Sequence, residues 1–234
     1  MPIFSFVKEK LGAPKENLAE NPSPCTHKAE PMIKTIVVDL GNVHFTHGTR
    51  RGVEKIYGMV DAPKQTVDEL FKSLPGKEGA LLRQGKISMN EFKKRLEERL
   101  EVSREKADEL VEIWHSSYEP NEGMPELMQK LSKNYRLIVF SGTVLERVQY
   151  LDKKYDFKKH FNDFVFTFDV GLNKRDKKIF ECLLGKVGAA PSECVVVDDT
   201  QRILDDAKTF GFNTILYENT KQLVKDLETL GVRV

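Results

Sequence analysis

The chain has 234 residues, a formal net charge of +1 and an apolar share of 40%. Its length suits one large domain or a domain with a smaller insert, and its apolar share is sufficient for a packed core. The balanced charge gives no support to a nucleic-acid partner or an anionic membrane surface, and no run approaches the roughly 18 apolar residues of a membrane span.

Residues 1–31 are predicted to form an arm outside the main domain. Pro14 interrupts the one stretch with helical character, and the sequence Asn-Pro-Ser-Pro at 21–24 breaks regular structure. We expect this arm to be mobile or loosely docked. Its first residues lack the charged lead and the apolar block of a secretory signal. Three widely spaced cysteines leave one unpaired in any scheme, which predicts a reduced, cytoplasmic setting.

A buried strand that ends on a carboxylate comes next. Ile36, Val37 and Val38 form an apolar, β-branched run, which is typical of a strand covered on both faces. Asp39 follows directly, and the Gly-Asn pair shortly after it is typical of a turn. Because ligands in open α/β sheets bind beyond the carboxyl ends of central strands, Asp39 is predicted to be the centre of an active site. The alternative at this stage is a turn or helix-capping aspartate.

Residues 48–118 carry no strong strand signal and predict an inserted helical segment. Four helices are expected, beginning near Arg50, Lys64, Ser88 and Ser103. Ser88, with Glu91 three residues later, has the pattern of a capping box. We expect this segment to act as a lid over the site, with residues 32–47 and 119–234 forming the core domain.

From residue 119 onward, apolar strand-like runs alternate with helix-like segments. Strands are expected at 137–140, 164–168, 194–197 and 214–217, with a helix after each. This alternation predicts an α/β fold with a doubly wound parallel sheet and right-handed crossovers.

Polar side chains follow these strands at points that a parallel sheet brings together. The groups concerned are Asp39, Ser141, Gly142, Lys174, Asp198 and Asp199. Two like charges about 4 Å apart repel by on the order of 4 kcal/mol at an effective dielectric of about 20, so the three carboxylates need a cation. Oxygen ligands without a Cys or His cluster favour Mg²⁺, which leaves positions for water and a substrate phosphate. A carboxylate nucleophile, a metal and a lysine together indicate an aspartyl-phosphate mechanism.

Four motifs occur in order along the chain. They read Val-Asp-Leu-Gly-Asn-Val from residue 38, Phe-Ser-Gly-Thr from residue 140, Gly-Leu-Asn-Lys from residue 171 and Val-Asp-Asp from residue 197. The ordered set resembles the haloacid dehalogenase-like (HAD) hydrolase superfamily. The helical insert is similar to the all-α cap of that superfamily. The Asp-Leu-Gly-Asn sequence is similar to the first motif of a subset that includes sugar-phosphate phosphatases.

Carried over by position, the resemblance implies a role for each group. The implied catalytic residues are Asp39, as nucleophile, and Lys174. The implied Mg²⁺ ligands are Asp39, Gly41 through its backbone carbonyl, Asp198 and Asp199. The implied substrate-binding residues are Asn42, Ser141, Gly142 and Lys174.

The sequence departs from the superfamily pattern at three places. Gly41 stands where most phosphatases of the superfamily have a second aspartate that acts as general acid and base. His44 or His47 is a candidate substitute because histidine titrates near neutral pH, although an ordinary packed or loop histidine is favoured for each. The other departures are Arg175, where a proline is usual, and Arg202 and Ile203, where an Asn or Asp often follows the acidic pair.

These features predict a Mg²⁺-dependent phosphohydrolase that acts on a small phosphorylated metabolite. No nucleic-acid or membrane partner is expected, and the protein is expected to be a monomer or a homodimer. Two alternatives stay open. The missing acid/base aspartate suggests a non-catalytic binding or regulatory protein of the same fold, and a 2-haloacid dehalogenase would keep Asp39 without needing a metal. A response-regulator receiver is not favoured, because its acidic pair follows the first strand.

Overall fold

Five parallel strands form one sheet in a computed structural model that describes residues 32–234. The predicted arm at 1–31 lies outside the described residues. The spatial order is β3-β2-β1-β4-β5. The bounds are β1 Thr35–Val38, β2 Arg136–Ser141, β3 Asp163–Phe166, β4 Cys194–Asp198 and β5 Asn213–Leu216. The strand β1, which leads into Asp39, therefore lies at the centre of the sheet, between β2 and β4.

Residues 48–116, called the helical block below, contain five helices and no strand. They are α1 Gly48–Ile56, α2 Lys64–Phe71, α3 Glu78–Arg83, α4 Met89–Leu100 and α5 Arg104–Ser116. The block has its own apolar core, in which the rings of Phe71, Phe92 and Trp114 lie 5.3 to 5.7 Å apart. Val144, which follows β2, packs into the same core and joins the block to the sheet domain.

Helices cover both faces of the sheet because successive side chains of a strand point to opposite faces. Ile36 and Val38 contribute to one core and Val37 to the other. The helices packed on the first face are α6 Met124–Leu131, α7 Leu145–Tyr155 and α11 Thr220–Thr229. Those on the second are α9 Lys178–Val187 and α10 Gln201–Thr209, while a short helix, α8 Thr167–Val170, follows β3. The predicted doubly wound α/β fold is confirmed, and none of these described helices has the length and apolar content to cross a bilayer.

The expectation of four helices in the block is wrong, because α3 is a fifth. Gly79 obscures it in the sequence, since glycine is a poor helix former. In the fold, a Cβ at Gly79 would lie 2.4 Å from the carbonyl oxygen of Lys72, so this close approach of α3 to the end of α2 requires glycine.

The strand expected at 164–168 is also too long, because it ends at Phe166. The alternating phenylalanines continue past the strand, and the rings of Phe166 and Phe168 stack at 5.0 Å. Thr167 begins α8 and donates a hydrogen bond from Oγ1 to the carbonyl oxygen of Arg83 at 2.6 Å. A contact with the helical block therefore accompanies the end of the strand, and the local alternation does not record it.

The chain enters and leaves the helical block through two adjacent segments, 41–47 and 117–123, which we call the paired connection. Thr46 N donates to Glu119 O at 2.7 Å, and Asn121 N donates to His44 O at 2.9 Å. The two segments are thus hydrogen-bonded to each other where the block joins the sheet domain.

Candidate active site

The carboxyl ends of β1, β2 and β4 meet at one edge of the sheet and open on a cavity of about 180 Å³. Six of the residues predicted for the site line it, namely Asp39, Gly41, Ser141, Gly142, Lys174 and Asp198. Ser73 of the helical block and Tyr118 of the paired connection complete part of the wall. The cavity therefore lies between the block and the sheet.

Three carboxylates converge at this edge. Oxygen atoms of Asp39, Asp198 and Asp199 all lie within 4.8 Å of one another. Burial is the main cause that raises the pKa of Asp39, to about 6; the charge of Lys174 opposes this shift, whereas that of Asp198 adds to it. Three carboxylates this close repel one another unless a cation lies among them. Oxygen ligands suit a hard divalent ion such as Mg²⁺. The donor set therefore fits Mg²⁺.

Lys174 lies between two of these carboxylates. Its Nζ is 2.8 Å from Asp39 Oδ1 and donates a hydrogen bond of 2.5 Å to Asp198 Oδ2. Burial lowers the pKa of the ammonium, but the two carboxylates outweigh burial and raise this pKa above its ordinary value. Lys174 is therefore charged and offsets part of the repulsion between Asp39 and Asp198.

Two further contacts hold the acidic pair in position. Asn42 has a positive φ of 60° and donates from Nδ2 to Asp199 Oδ2 at 2.9 Å. The backbone N–H of Thr200 donates to Asp198 Oδ1 at 2.8 Å. Asn42 and Asp199 are not among the residues that line the cavity, so the substrate-binding role of Asn42 stays a prediction, beside an observed contact with a carboxylate.

The two candidate histidines lie in different surroundings. His44 is 2% exposed, packs against Phe45, Phe157 and Phe161, and is not part of the cavity wall. Burial lowers its pKa to about 4. His47 is exposed, and its Nε2 lies 4.0 Å from Asp199 Oδ2. The ordinary interpretation of a packed histidine therefore holds for His44, and only His47 lies near the carboxylates.

A buried arginine that the sequence analysis missed also lines the cavity. Arg147 on α7 is 2% exposed, and its guanidinium carbon lies 4.0 Å from the ring centre of Trp114 and 4.6 Å from that of Tyr118. Its Nε and Nη2 have no hydrogen-bond partner within the described residues. Burial lowers the pKa of this guanidinium, and only Tyr118 and Glu146 oppose that effect.

The energies of these contacts indicate that Arg147 is not fully compensated. A cation over an aromatic ring gains about 0.5–2 kcal/mol, whereas the burial of an unpaired ion costs several kcal/mol. A helical signal for its position exists in the sequence. Val144, Val148 and Leu151 are buried, and their spacing places Arg147 on the same face of α7. An arginine at a position on the apolar face of a helix is the sequence pattern that predicts the buried position of Arg147.

The family comparison agrees with this geometry. The family described as haloacid dehalogenase-like hydrolase matches residues 33–211. The chain therefore belongs to the haloacid dehalogenase-like hydrolases, as the four motifs indicated.

Individual proteins are also similar to this chain. An uncharacterised protein of Dictyostelium discoideum is 26% identical over 215 residues, which are 79% of this chain and 91% of that protein. Flavin mononucleotide hydrolase 1 of Arabidopsis thaliana is 25% identical over 126 residues, about half of each chain (53% and 51%). A HAD family enzyme of Bacteroides thetaiotaomicron, solved with magnesium and inorganic phosphate, superposes with a TM-score of 0.68 at 21% identity, over 80% of this chain and 96% of that one.

Proposed function

We propose that this protein is a Mg²⁺-dependent phosphohydrolase that acts on a small phosphorylated metabolite through phosphorylation of Asp39. The observation that carries the proposal is the convergence of three carboxylates and Lys174 at one sheet edge, where Asp39, Asp198 and Lys174 line the cavity. A relative that hydrolyses flavin mononucleotide and a structural neighbour bound to magnesium and phosphate support the same class of reaction.

Each side chain has a place in the proposed reaction. A carboxylate oxygen of Asp39 attacks phosphorus, the bond to the alcohol oxygen of the substrate breaks, and the leaving oxygen takes a proton from solvent water. A second water then attacks the phosphorus and loses a proton to solvent, the bond between phosphorus and the carboxylate oxygen of Asp39 breaks, and inorganic phosphate is released. The hydroxyl of Ser141, the backbone N–H of Gly142 and the ammonium of Lys174 hold phosphoryl oxygens while the charge moves.

The metal site is proposed at Asp39, Asp198, Asp199 and the carbonyl of Gly41. Mg²⁺ bound there supplies charge that stabilises the phosphoryl oxygens and the ionised form of Asp39. The helical block is proposed to act as a cap, with Ser73 and Tyr118 in the cavity wall limiting the size of the substrate and the access of water.

Turnover of para-nitrophenyl phosphate with and without Mg²⁺ tests the proposal directly. Asp39→Asn should abolish turnover because an amide is not a nucleophile, whereas the same substitution at the exposed Asp205 should not. Substantial activity of Asp39→Asn would reject the mechanism.

A non-catalytic binding protein is the second candidate, and Gly41 in the acid/base position is the observation that favours it. Absence of turnover with a broad panel of phosphomonoesters, together with Mg²⁺ binding, would support this candidate. A dehalogenase is less well supported, because it does not need the converging Asp198 and Asp199. Halide release from a 2-haloacid would support it.

A further inference from the structure

We infer that Arg147 binds a second anionic group on the substrate, so that the preferred substrates are phosphomonoesters that also carry a carboxylate or a second phosphate. The inference rests on the proposed phosphohydrolase function and specifies its substrate class. Its basis is a buried cation that lines the same cavity as Asp39 and has donors without acceptors.

The first step concerns the charge of Arg147. Within residues 32–234 no carboxylate forms an ion pair with its guanidinium, and Nε and Nη2 lack acceptors. The rings of Trp114 and Tyr118 cover the guanidinium, and Tyr118 offers it a phenol oxygen but no carboxylate. The positive charge of Arg147 is therefore buried in the wall of the cavity without a carboxylate to balance it, and an anionic ligand in the cavity would balance it.

A second buried arginine, Arg83, contacts the same tryptophan as Arg147 and provides a comparison with a structural role. Arg83 also lies over Trp114, at 5.0 Å. Its guanidinium donates to the carbonyl oxygens of Gly79 and Phe71 and to Thr49 Oγ1, at 2.7 to 3.2 Å. Arg83 does not line the cavity. The hydrogen bonds of Arg83 therefore give it a structural role, whereas Arg147 is available to a ligand in the cavity.

The size of the cavity limits the rest of the substrate. Its volume of about 180 Å³ is below the roughly 300–1,000 Å³ of typical ligand pockets. Since Asp39 and Arg147 both belong to its wall, one compact molecule can reach both. The planar guanidinium favours a carboxylate or phosphate that accepts two parallel hydrogen bonds. A short phosphorylated acid has the required size and charge.

A matched pair of substrates tests this inference. 3-Phosphoglycerate and glycerol 3-phosphate share the phosphoester and the three-carbon chain, and differ by a carboxylate in place of a hydroxymethyl group. In the presence of Mg²⁺, the wild-type kcat/KM is expected to be at least about 30-fold higher for 3-phosphoglycerate. Arg147→Met should remove most of this preference, mainly through a higher KM, and Arg147→Lys should retain part of it. Arg83→Lys should keep the wild-type ratio of the two substrates.

A second experiment measures binding without turnover. In the Asp39→Asn protein with Mg²⁺, 3-phosphoglycerate should raise the melting temperature more than glycerol 3-phosphate does, and the difference should vanish when Arg147→Met is added. Propane-1,3-diyl bisphosphate distinguishes the source of the anion, since a stronger effect than that of 3-phosphoglycerate assigns Arg147 to a second phosphate. Where Arg147→Met folds poorly, Arg147→Lys takes its place, because a lysine keeps the charge but not the planar pair of donors, and the difference between the two ligands should then shrink.

The outcomes separate the two proposals. Equal kcat/KM for the two matched substrates, or a preference that survives Arg147→Met, would overturn the role of Arg147 while leaving the phosphohydrolase in place. Failure to hydrolyse any phosphomonoester would overturn the proposed function. In that case the melting-temperature difference between the two ligands decides the role of Arg147: a difference that Arg147→Met removes supports anion binding by Arg147, and no difference, or one that survives the substitution, rejects it.

Discussion

Lys174 allows Asp39 and Asp198 to share a buried sheet edge, since its ammonium lies within 2.8 Å of both. Removal of one partner from a buried ionic cluster leaves the other charges uncompensated, at a cost of about 3–5 kcal/mol. Lys174→Met should therefore lower the free energy of unfolding by roughly this amount in the presence of EDTA, with a smaller loss in Mg²⁺. Urea denaturation under both conditions measures the difference.

The exposed Lys177 provides the matched control for this substitution. Lys177→Met should change the free energy of unfolding by less than about 0.5 kcal/mol under either condition. An equal loss for Lys174→Met with and without Mg²⁺ would show that the lysine and the metal do not compensate the same carboxylates.

The metal itself should stabilise the folded chain, because the unfolded chain does not hold three carboxylates together. At a concentration of 100 times its dissociation constant, Mg²⁺ should add about 2.7 kcal/mol to the free energy of unfolding. Asp199→Asn should reduce this gain and Asp205→Asn should not. Melting temperatures in Mg²⁺ and in EDTA test the prediction, and an unchanged gain in Asp199→Asn would remove Asp199 from the metal site.

Gly41 leaves room for the missing acid/base group. No atom lies within 4 Å of a Cβ built at this position. Gly41→Asp should therefore fold and place a carboxyl group next to the reacting phosphate, which should raise kcat on alkyl phosphates such as glycerol 3-phosphate by up to about 100-fold. Gly41→Asn is the matched control, because an amide has the shape of the carboxyl group in Gly41→Asp but does not act as a general acid. It tests whether a proton-transferring group is required. A similar increase in both variants would contradict acid catalysis as the cause.

At the scale of elements, Gly85 fixes the contact between the end of α3 and α8. It has a positive φ of 63°, and a Cβ there would lie 2.5 Å from the carbonyl oxygen of Phe168. Gly85→Ala should cost more than the about 1–2 kcal/mol of the left-handed conformation alone, because the backbone contact must also open. Gly76→Ala isolates the conformational cost, since Gly76 has a φ of 74° and no atom within 4 Å. Equal losses of unfolding free energy in the two variants would show that the contact with Phe168 is not tight.

The elements that the sequence predicted well are those whose signals are local. The capping box of Ser88 and Glu91 is present in α4, and Ser103 caps α5, because caps depend on side chains only a few residues apart. The apolar, β-branched runs likewise gave all five strands. The sequence did not reveal α3, or the end of β3 at Phe166, because close contacts with distant parts of the chain determine both.

At the scale of the whole molecule, two buried histidines should make the fold sensitive to acid. Burial lowers the pKa of His44 to about 4 and that of His115 to about 2, from an ordinary value of 6.5. Between pH 6.5 and 4 the unfolded chain therefore binds protons that the folded chain does not, and the free energy of unfolding falls as the pH falls. Each histidine should contribute about 2 kcal/mol of this loss between pH 7 and 5.

Denaturation of the wild type and of His44→Gln at pH 7 and pH 5 measures this contribution. Asp39 acts in the opposite direction, since its raised pKa stabilises the folded chain as the pH falls toward 4, and the difference between the two proteins cancels that effect. The pH dependence should be shallower in His44→Gln, whereas the exposed His47 provides a control in His47→Gln. An identical slope in wild type and His44→Gln would contradict the prediction.

The candidate site was predictable from the sequence where side chains directly follow strands. Asp39, Ser141 and Asp198 come together because parallel strands end at one edge of a sheet. The position of Arg147 depends instead on packing between α7 and the helical block, since Trp114 lies 33 residues earlier in the chain. Motif order does not encode such a contact.

The paired connection has a consequence for how the cavity can be reached. Hydrogen bonds between the two segments, such as those of Thr46 with Glu119 and of Asn121 with His44, prevent them from bending independently. The helical block should then rotate as one rigid body about a hinge formed by both segments. A conformational change in only one of the two segments would not open the cavity. Substrate entry would expose the nucleophile and the buried guanidinium in one movement, so that both ends of an incoming molecule are admitted together.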